Sequence, residues 1–339
     1  MPLQTTDLVL RPSKYVSQTD GDGGMMDSSK SISNNVIGNL IKNVTNAQRT
    51  NGASLHYKAF IHNISASSNL FKESVAYLGR QVDGVPISLL AGTQTNTWET
   101  AKTGQKYGVG NLKTAVTAGL TTVVVITQGR AFNHFVNGGL VVIQNLASPT
   151  DSTGQYETVR VSSVSWSGDE ATLTLATPLE YDYPTSRTVN FQTVKTRISS
   201  AIESGDVKPT ATTLDKVSAG TVTESALILN FAGTIAQTLT LSFTSANTFL
   251  VTSSLGITLP AGQRNATYAP QNPDAFQPYI SVPSSFWTGT WAAGDSIKIT
   301  TIPAAIPLFV LLEIPIGSPS VDLGLSGIWY LGDDGGVVV

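Results

Sequence analysis

The spacing of apolar residues along this chain changes character near residue 118. Before it, two stretches carry helical spacing. Over residues 31–50, Ile32, Val36, Ile37, Leu40, Ile41 and Val44 recur as one face of a helix with Ser33 as its N-cap, although the intervening asparagines are poor helix formers. Over residues 67–81, Leu70, Phe71, Val75 and Leu78 predict a second helix, capped by Ser67 or Ser68 and ended by Gly79. Between them LHYKAFI (55–61) reads as a strand. After residue 118 the pattern is β. LTTVVVIT (120–127) and GLVVIQNL (139–146) are β-branched runs suited to a buried sheet, and YETVRVSSVSW (156–166) and ATLTLATPL (171–179) flank a Ser-Gly-Asp turn as a hairpin. SALILNF (225–231), TLTLSF (238–243), TFLVTSS (248–254), FVLLEI (309–314) and SGIWYL (326–331) continue the series, interrupted by a long Pro/Asn loop at 260–279.

The predicted fold class is mainly β: an N-terminal extended arm with short helices, a small β-barrel or sandwich domain, and a C-terminal β-sandwich. Residues 1–30 form the arm, because Pro2 and Pro12 oppose helix and TDGDGGMMDSSK is rich in turn residues. Residues 31–117 are a mixed region, 118–200 the small barrel, 201–220 a polar linker, and 221–339 the sandwich with a strand-like tail. Leu3, Leu8, Val9, Leu10 and Val16 lie on an arm with no core of its own, so they are expected to order on a neighbouring subunit. Val337, Val338 and Val339 follow Asp333-Asp334-Gly335-Gly336 and are expected to add as a strand to another chain. Trp287 and Trp291, either side of a Thr-Gly-Thr turn, are expected to be core anchors.

Composition narrows the function. The chain has 339 residues, 41% of them hydrophobic, which supports ordinary cores. Charged residues are only 13%, against roughly 25% in an average globular protein. Few charges would need desolvation when such a surface is covered, which suits permanent association. Net charge is −3, from a basic first third and an acidic last third that could pair head to tail. The basic residues are scattered, so no nucleic-acid partner is expected. With no cysteine, disulfides, thiolate metal sites and cysteine catalysis are excluded. The opening MPLQTTDLVLRPSKYV lacks the charge and apolar pattern of a secretory leader. The longest apolar run, Ile306 to Ile316, is broken by Pro307, Glu313 and Pro315, so no membrane-spanning helix is expected.

Candidate chemistry is thin. His56 and His62 share a strand face about 20 Å apart, too far to share a metal, and His134 stands alone. Asp20, Asp22 and Asp27 fail the calcium-loop pattern, with Met25 and Ser31 where Gly and Glu are required. Gly104, Gly108 and Gly110 lack the following Gly-Lys-Ser/Thr of a phosphate loop. The pairs Asp169–Glu170, Glu180–Asp182 and Asp333–Asp334 sit in predicted turns, where solvent keeps carboxylates ionised, and no Gly-x-Ser-x-Gly elbow is present. No enzyme activity, cofactor or metal is expected.

Phe286 to Ile302, FWTGTWAAGDSIKITTI, followed by PAAIPLFVLLEIPIG, resembles a closing module of virion structural proteins of tailed bacteriophages, particularly tail and baseplate components. The order of strands and turns between 118 and 179 resembles small β-barrel modules of phage tail proteins. The resemblance implies a structural role in the tail or baseplate, such as bracing the tube against the sheath or baseplate ring. Its partners would be copies of itself and other virion proteins, with no membrane, in a virion assembled in the host cytoplasm. The alternatives are a carbohydrate-binding receptor or adhesin of the tail, with a host glycan as ligand, and a capsid decoration or neck protein. An adhesin would need an aromatic cluster open to water, such as Trp98 with Tyr107 or Trp287 with Trp291.

Overall fold

A computed structural model describes residues 5–33, 40–41, 44–80, 86–127, 133–318, 327–332 and 337–338. The chain is mainly β, and among the described residues its two α-helices are short. The first part holds β1 (Leu8–Tyr15), β2 (Gly23–Met26), α1 (Asn46–Asn51), β3 (Ala53–Asn63), β4 (Phe71–Arg80), β5 (Ile87–Ala91), α2 (Trp98–Ala101) and β6 (Lys106–Tyr107). The middle holds β7 (Val109–Leu112), β8 (Thr122–Ile126), β9 (Leu140–Gln144), β10 (Tyr156–Ser167), β11 (Glu170–Leu175), β12 (Ser186–Val189), β13 (Gln192–Lys195) and β14 (Arg197–Val207). The last part holds β15 (Thr210–Val217), β16 (Gln237–Phe243), β17 (Thr248–Ser253), β18 (Ser296–Ile302), β19 (Ala305–Ile314), β20 (Gly327–Leu331) and β21 (Val337–Val338).

The middle strands close a barrel. β14 pairs with β7, the order runs on through β8, β11, β10 and β9, and β9 pairs back onto β14 at Ile143–Ile198. Alternation explains the closure. Val123, Val125, Val141, Ile143, Val159, Val161, Leu173 and Ile198 all point into one interior, so each strand supplies an apolar row every second residue. Gly168, at φ +58°, makes the two-residue turn between β10 and β11.

β2, β1, β3, β19, β5 and β6 form a six-stranded sheet in that order. One face of it packs with β4 around Tyr57, Ala59, Ile61, Leu89, Leu308 and Val310. β15, β18, β16 and β17 form a further sheet over an aromatic core that includes Phe243, Phe249, Phe286, Trp287 and Trp291.

Several local expectations are corrected. The arm is a strand of the body: β1 pairs with β3 from Leu8–Asn63 to Pro12–Ala59, and Leu8 is buried in the main core. Pro12 has no N–H, yet its carbonyl accepts from the Asp27 N–H at 2.9 Å. The predicted helix over 67–81 is β4. Phe71, Ala76 and Leu78 face one core while Val75 and Tyr77 face another, and a strand buried on both faces gives an apolar run that a 3.6-residue period also fits. Gly79 admits the Trp329 ring, since a Cβ there would lie 2.0 Å from it.

Of the helix predicted over 31–50, residues 34–39, including Val36 and Ile37, and 42–43 lie outside the described residues. α1 starts at Asn46, where Thr45 and Gln48 form a capping box, and not after Ser33. The predicted linker 201–220 is the end of β14 and all of β15, polar because β15 is an exposed edge. Residues 225–231 make the isolated bridge Ile228–Ser281 in place of a strand.

The C-terminal segment leaves its predicted sandwich. β19 lies between β3 and β5, where its nearly unbroken apolar run, IPLFVLLEI, is covered on both sides. β20 pairs with β4. Val337 and Val338 pair with Leu331 and Tyr330 of the same chain, because the nearest free edge costs least closure entropy. Leu3, Val339 and the Asp333–Gly336 stretch lie outside the described residues.

Candidate interaction surfaces

The groups singled out for chemistry serve packing. The His56 ring stacks on Trp98 at 4.5 Å, with Nε2 3.1 Å from the Thr19 carbonyl and 3.6 Å from Asp22. Burial works against the Asp22 carboxylate, but hydrogen bonds from Ser17 and Gln18 outweigh it and hold the group below the usual carboxylate range. His62 Nδ1 accepts from Arg11 Nε at 2.9 Å, and Nε2 donates to the Phe231 carbonyl. Burial, together with the Arg11 charge, pushes its pKa down to about 4. His134 bonds Ser88. Among the described residues, no group of three or more His, Asp or Glu side chains could hold a metal ion.

Among the described residues, Gly108 and Gly110 and the acidic residues Glu170 and Asp182 have structural partners; Asp333–Asp334 lie outside them. Gly108 lies against the His134 ring and Gly110 against Val125, so their missing side chains allow close packing. Glu170 pairs with Lys113 at 2.6 Å and Asp182 accepts from the Ala118 N–H. Trp98, Trp287 and Trp291 are all buried. Trp291 stacks on Phe243 at 4.7 Å and donates to the Thr288 carbonyl at 3.0 Å.

Sequence reasoning missed Lys58. Its side chain, only 2% exposed, projects from the outer face of the six-stranded sheet into cover provided by residues 22–26 and 92–101. Nζ donates to the Gly24 carbonyl at 2.6 Å, the Asn96 carbonyl at 2.8 Å and Asn96 Oδ1 at 3.0 Å, with the Phe60 and Phe309 rings alongside. Burial pushes its pKa down to about 7.

The residues predicted as assembly contacts separate. Leu8 is buried, Val9 and Leu10 are half-buried in β1, and Val16 is exposed beyond the strand end. The structure instead presents three surfaces that the sequence did not mark. The first is the outer face of the C-terminal sheet. Leu239, Leu241 and Ile299 point inward, so Thr238, Thr240 and Thr300 point outward. Thr212, Thr300 and Thr238 stand in one row across three strands, with Thr238 and Thr300 hydroxyls 3.0 Å apart. Leu214, Leu250 and Ile302 add exposed aliphatic area, and the Lys298–Asp215 ion pair crosses the face.

The second surface is the β12–β13 hairpin, whose tip carries a fully exposed Phe191. The third is a cleft of about 320 Å³ between the end of β14, the β18–β19 junction and residues 91–94. No protein-family model, characterised protein or solved structure matches this chain.

Proposed function

We propose that the protein is a structural component of a tailed-bacteriophage virion, in the tail or baseplate, acting through contacts between subunits. The observation that carries this reading is the outer face of the C-terminal sheet. A row of threonine hydroxyls flanked by Leu214, Leu250 and Ile302 can be covered at little desolvation cost, because it holds few charges. The resemblance of residues 286–317 to virion proteins supplies the setting. The aromatic platforms required by a glycan-binding adhesin are turned inward at Trp98, Trp287 and Trp291.

Immunogold labelling of purified tailed-phage particles with an antibody to this chain tests the proposal. Label on tails or baseplates supports it; absence of the chain from particles overturns it. The surface is tested by Leu250→Lys and Thr240→Lys together. Incorporation into particles should fall at least tenfold while the thermal midpoint of the purified chain is unchanged.

A further inference from the structure

Residues 208–303 are inserted into the body through two short crossings that lie side by side. Lys208-Pro209 links β14 to β15, Pro303-Ala304 links β18 to β19, and Thr210 pairs with Ile302 where both enter the module. Among the described residues, no strand from Thr210 to Ile302 joins a sheet of the body. The insert has its own aromatic core. The cleft of about 320 Å³ lies against both crossings, lined by Lys208, Thr210, Ile302 and Pro303 together with Ala91 and Gly92 of the body, so the module has open space beside its attachment. Two adjacent crossings next to open space make a hinge, because a few residues can absorb a rotation without breaking a sheet.

Away from the hinge the module is fastened by a latch. Phe231 leaves the module's own core and is buried in the main core of the body. Its turn is fixed by Asn230, whose Oδ1 accepts from the Ala232 and Gly233 N–H groups at 3.0 and 2.8 Å. Asn230 Nδ2 donates to Gln277 Oε1, and Asn272 Nδ2 donates to the Gly233 carbonyl, so this turn and the 271–278 hairpin are tied into one piece. The body grips both parts. Fully buried His62 donates from Nε2 to the Phe231 carbonyl at 2.9 Å and accepts at Nδ1 from Arg11 Nε at 2.9 Å. Arg11 donates onward to the Ser28 and Lys30 carbonyls, and Ser28 Oγ donates to Asp274 Oδ2 at 3.1 Å. The hydrogen bonds therefore run in a closed circuit, from His62 through Arg11, Ser28 and the hairpin back to Phe231.

We propose that residues 208–303 swing about the 207–210 and 302–305 crossings, and that His62 is the acid-sensitive catch that holds them shut. A neutral ring with its proton on Nε2 makes both bonds. A second proton would sit on Nδ1, where the Arg11 N–H already points, and would set two cations against each other. Burial and the Arg11 charge hold the shut ring at about 4, whereas a ring freed into water titrates at about 6.5. Between those values only the open state binds the proton, so opening gains about tenfold for each pH unit of acidification. The other charged groups at the latch are Asp27, Lys30 and Asp274, all around Arg11. Burial pushes Asp27 up, but hydrogen bonds from Ser29 and Lys30 outweigh it, so its charge persists through this window. The inference goes beyond the assembly reading and stands without it, although the module that swings is the one carrying the threonine face.

Spin labels on the full chain at Ser29→Cys and Phe276→Cys, beside the touching pair Ser28 and Asp274, test the latch, and no native cysteine competes for the label. At neutral pH they should report one short distance. As the pH falls toward about 4, a longer population should grow about tenfold per unit while the circular dichroism spectrum is unchanged. His62→Gln keeps a donor for the Phe231 carbonyl and cannot titrate, so its distances should not depend on pH. Phe231→Ala removes the knob from the body's core and should show the longer population already at neutral pH. Distances unchanged in acid, loss of the dichroism spectrum before they lengthen, a matching acid response in His62→Gln, or a Phe231→Ala chain that stays shut each overturns the latch. Labelling of particles is read separately, so the virion proposal survives or falls on its own.

Discussion

Lys58 shows how one side chain can be set by segments far away in sequence. His56, Lys58 and His62 occupy one face of β3, a polar alternation that reads as a solvent face. The cover of His56 and Lys58 comes from residues 18–26 and 92–101, and that of His62 from Arg11 and Phe231, and no local pattern announces it. A consequence in pH follows. The folded amine titrates near 7, whereas the unfolded chain holds that proton to about 10.5. Between those values the unfolded state binds the extra proton, so this group makes stability rise with pH, by up to about 1.4 kcal/mol per pH unit. Below about pH 7 both states are protonated and its contribution is flat at its least favourable. Denaturant unfolding of Lys58→Met across the same range should lose that rise; equal slopes in the two proteins would show that the amine does not titrate in this window. Trp291, by contrast, was legible from the FWTGTW motif alone. At 1% exposure and stacked on Phe243 it should cost about 3–5 kcal/mol on truncation to alanine, read as a drop in thermal midpoint.

At the scale of elements, strands of one-sided burial are legible from their alternation, and strands of two-sided burial only where, as in LHYKAFI and FVLLEI, no helical spacing competes. β10, apart from a bulge after Val161, and β11 alternate, and their hairpin is visible in the sequence. β4 reads as a helix because both its faces are apolar, and β15 as a linker because it is a sheet edge whose inner face carries only Ala211 and a half-buried Thr213. β1 reads as a free arm because Pro12 and the glycines after it hide an eight-residue strand. Its position beside β3 changes what truncation should do. Removing residues 1–15 strips Leu8 from the core and bares the β3 backbone from Ala59 to Asn63. The truncated chain should lose at least about 3 kcal/mol, or its cooperative transition altogether. A midpoint equal to that of the full chain would restore the detachable arm.

Over the whole molecule, the barrel is built from neighbouring sequence, which is why local pattern reaches it; the C-terminal sheet is also local, but it takes β15 from the expected linker and lacks FVLLEI and SGIWYL, which pair elsewhere. The six-stranded sheet is not legible, since it joins strands from the first third of the chain to one from the last tenth, and pairing across such a distance leaves no trace in local periodicity. The candidate surfaces were equally hidden: Phe191 reads as an ordinary apolar residue until its turn is seen. Because every residue of the aromatic core lies between Leu239 and Ile299, a fragment spanning residues 208–303 should fold alone, with a sharp thermal transition and dispersed amide resonances; a fragment that stays unfolded would make that sheet dependent on the rest. The pairing of β19 with β3 has a further consequence during synthesis. Ala53 finds its partner only when Ile314 has left the ribosome, and at about 5–20 residues per second that delay is on the order of 10–50 s. Through that interval β3 has β1 on one side and nothing of its final neighbour on the other. The nascent chain must hold an apolar strand edge open while the barrel and the C-terminal sheet form behind it, so a holding chaperone, or the company of sister chains, would matter most at this one seam.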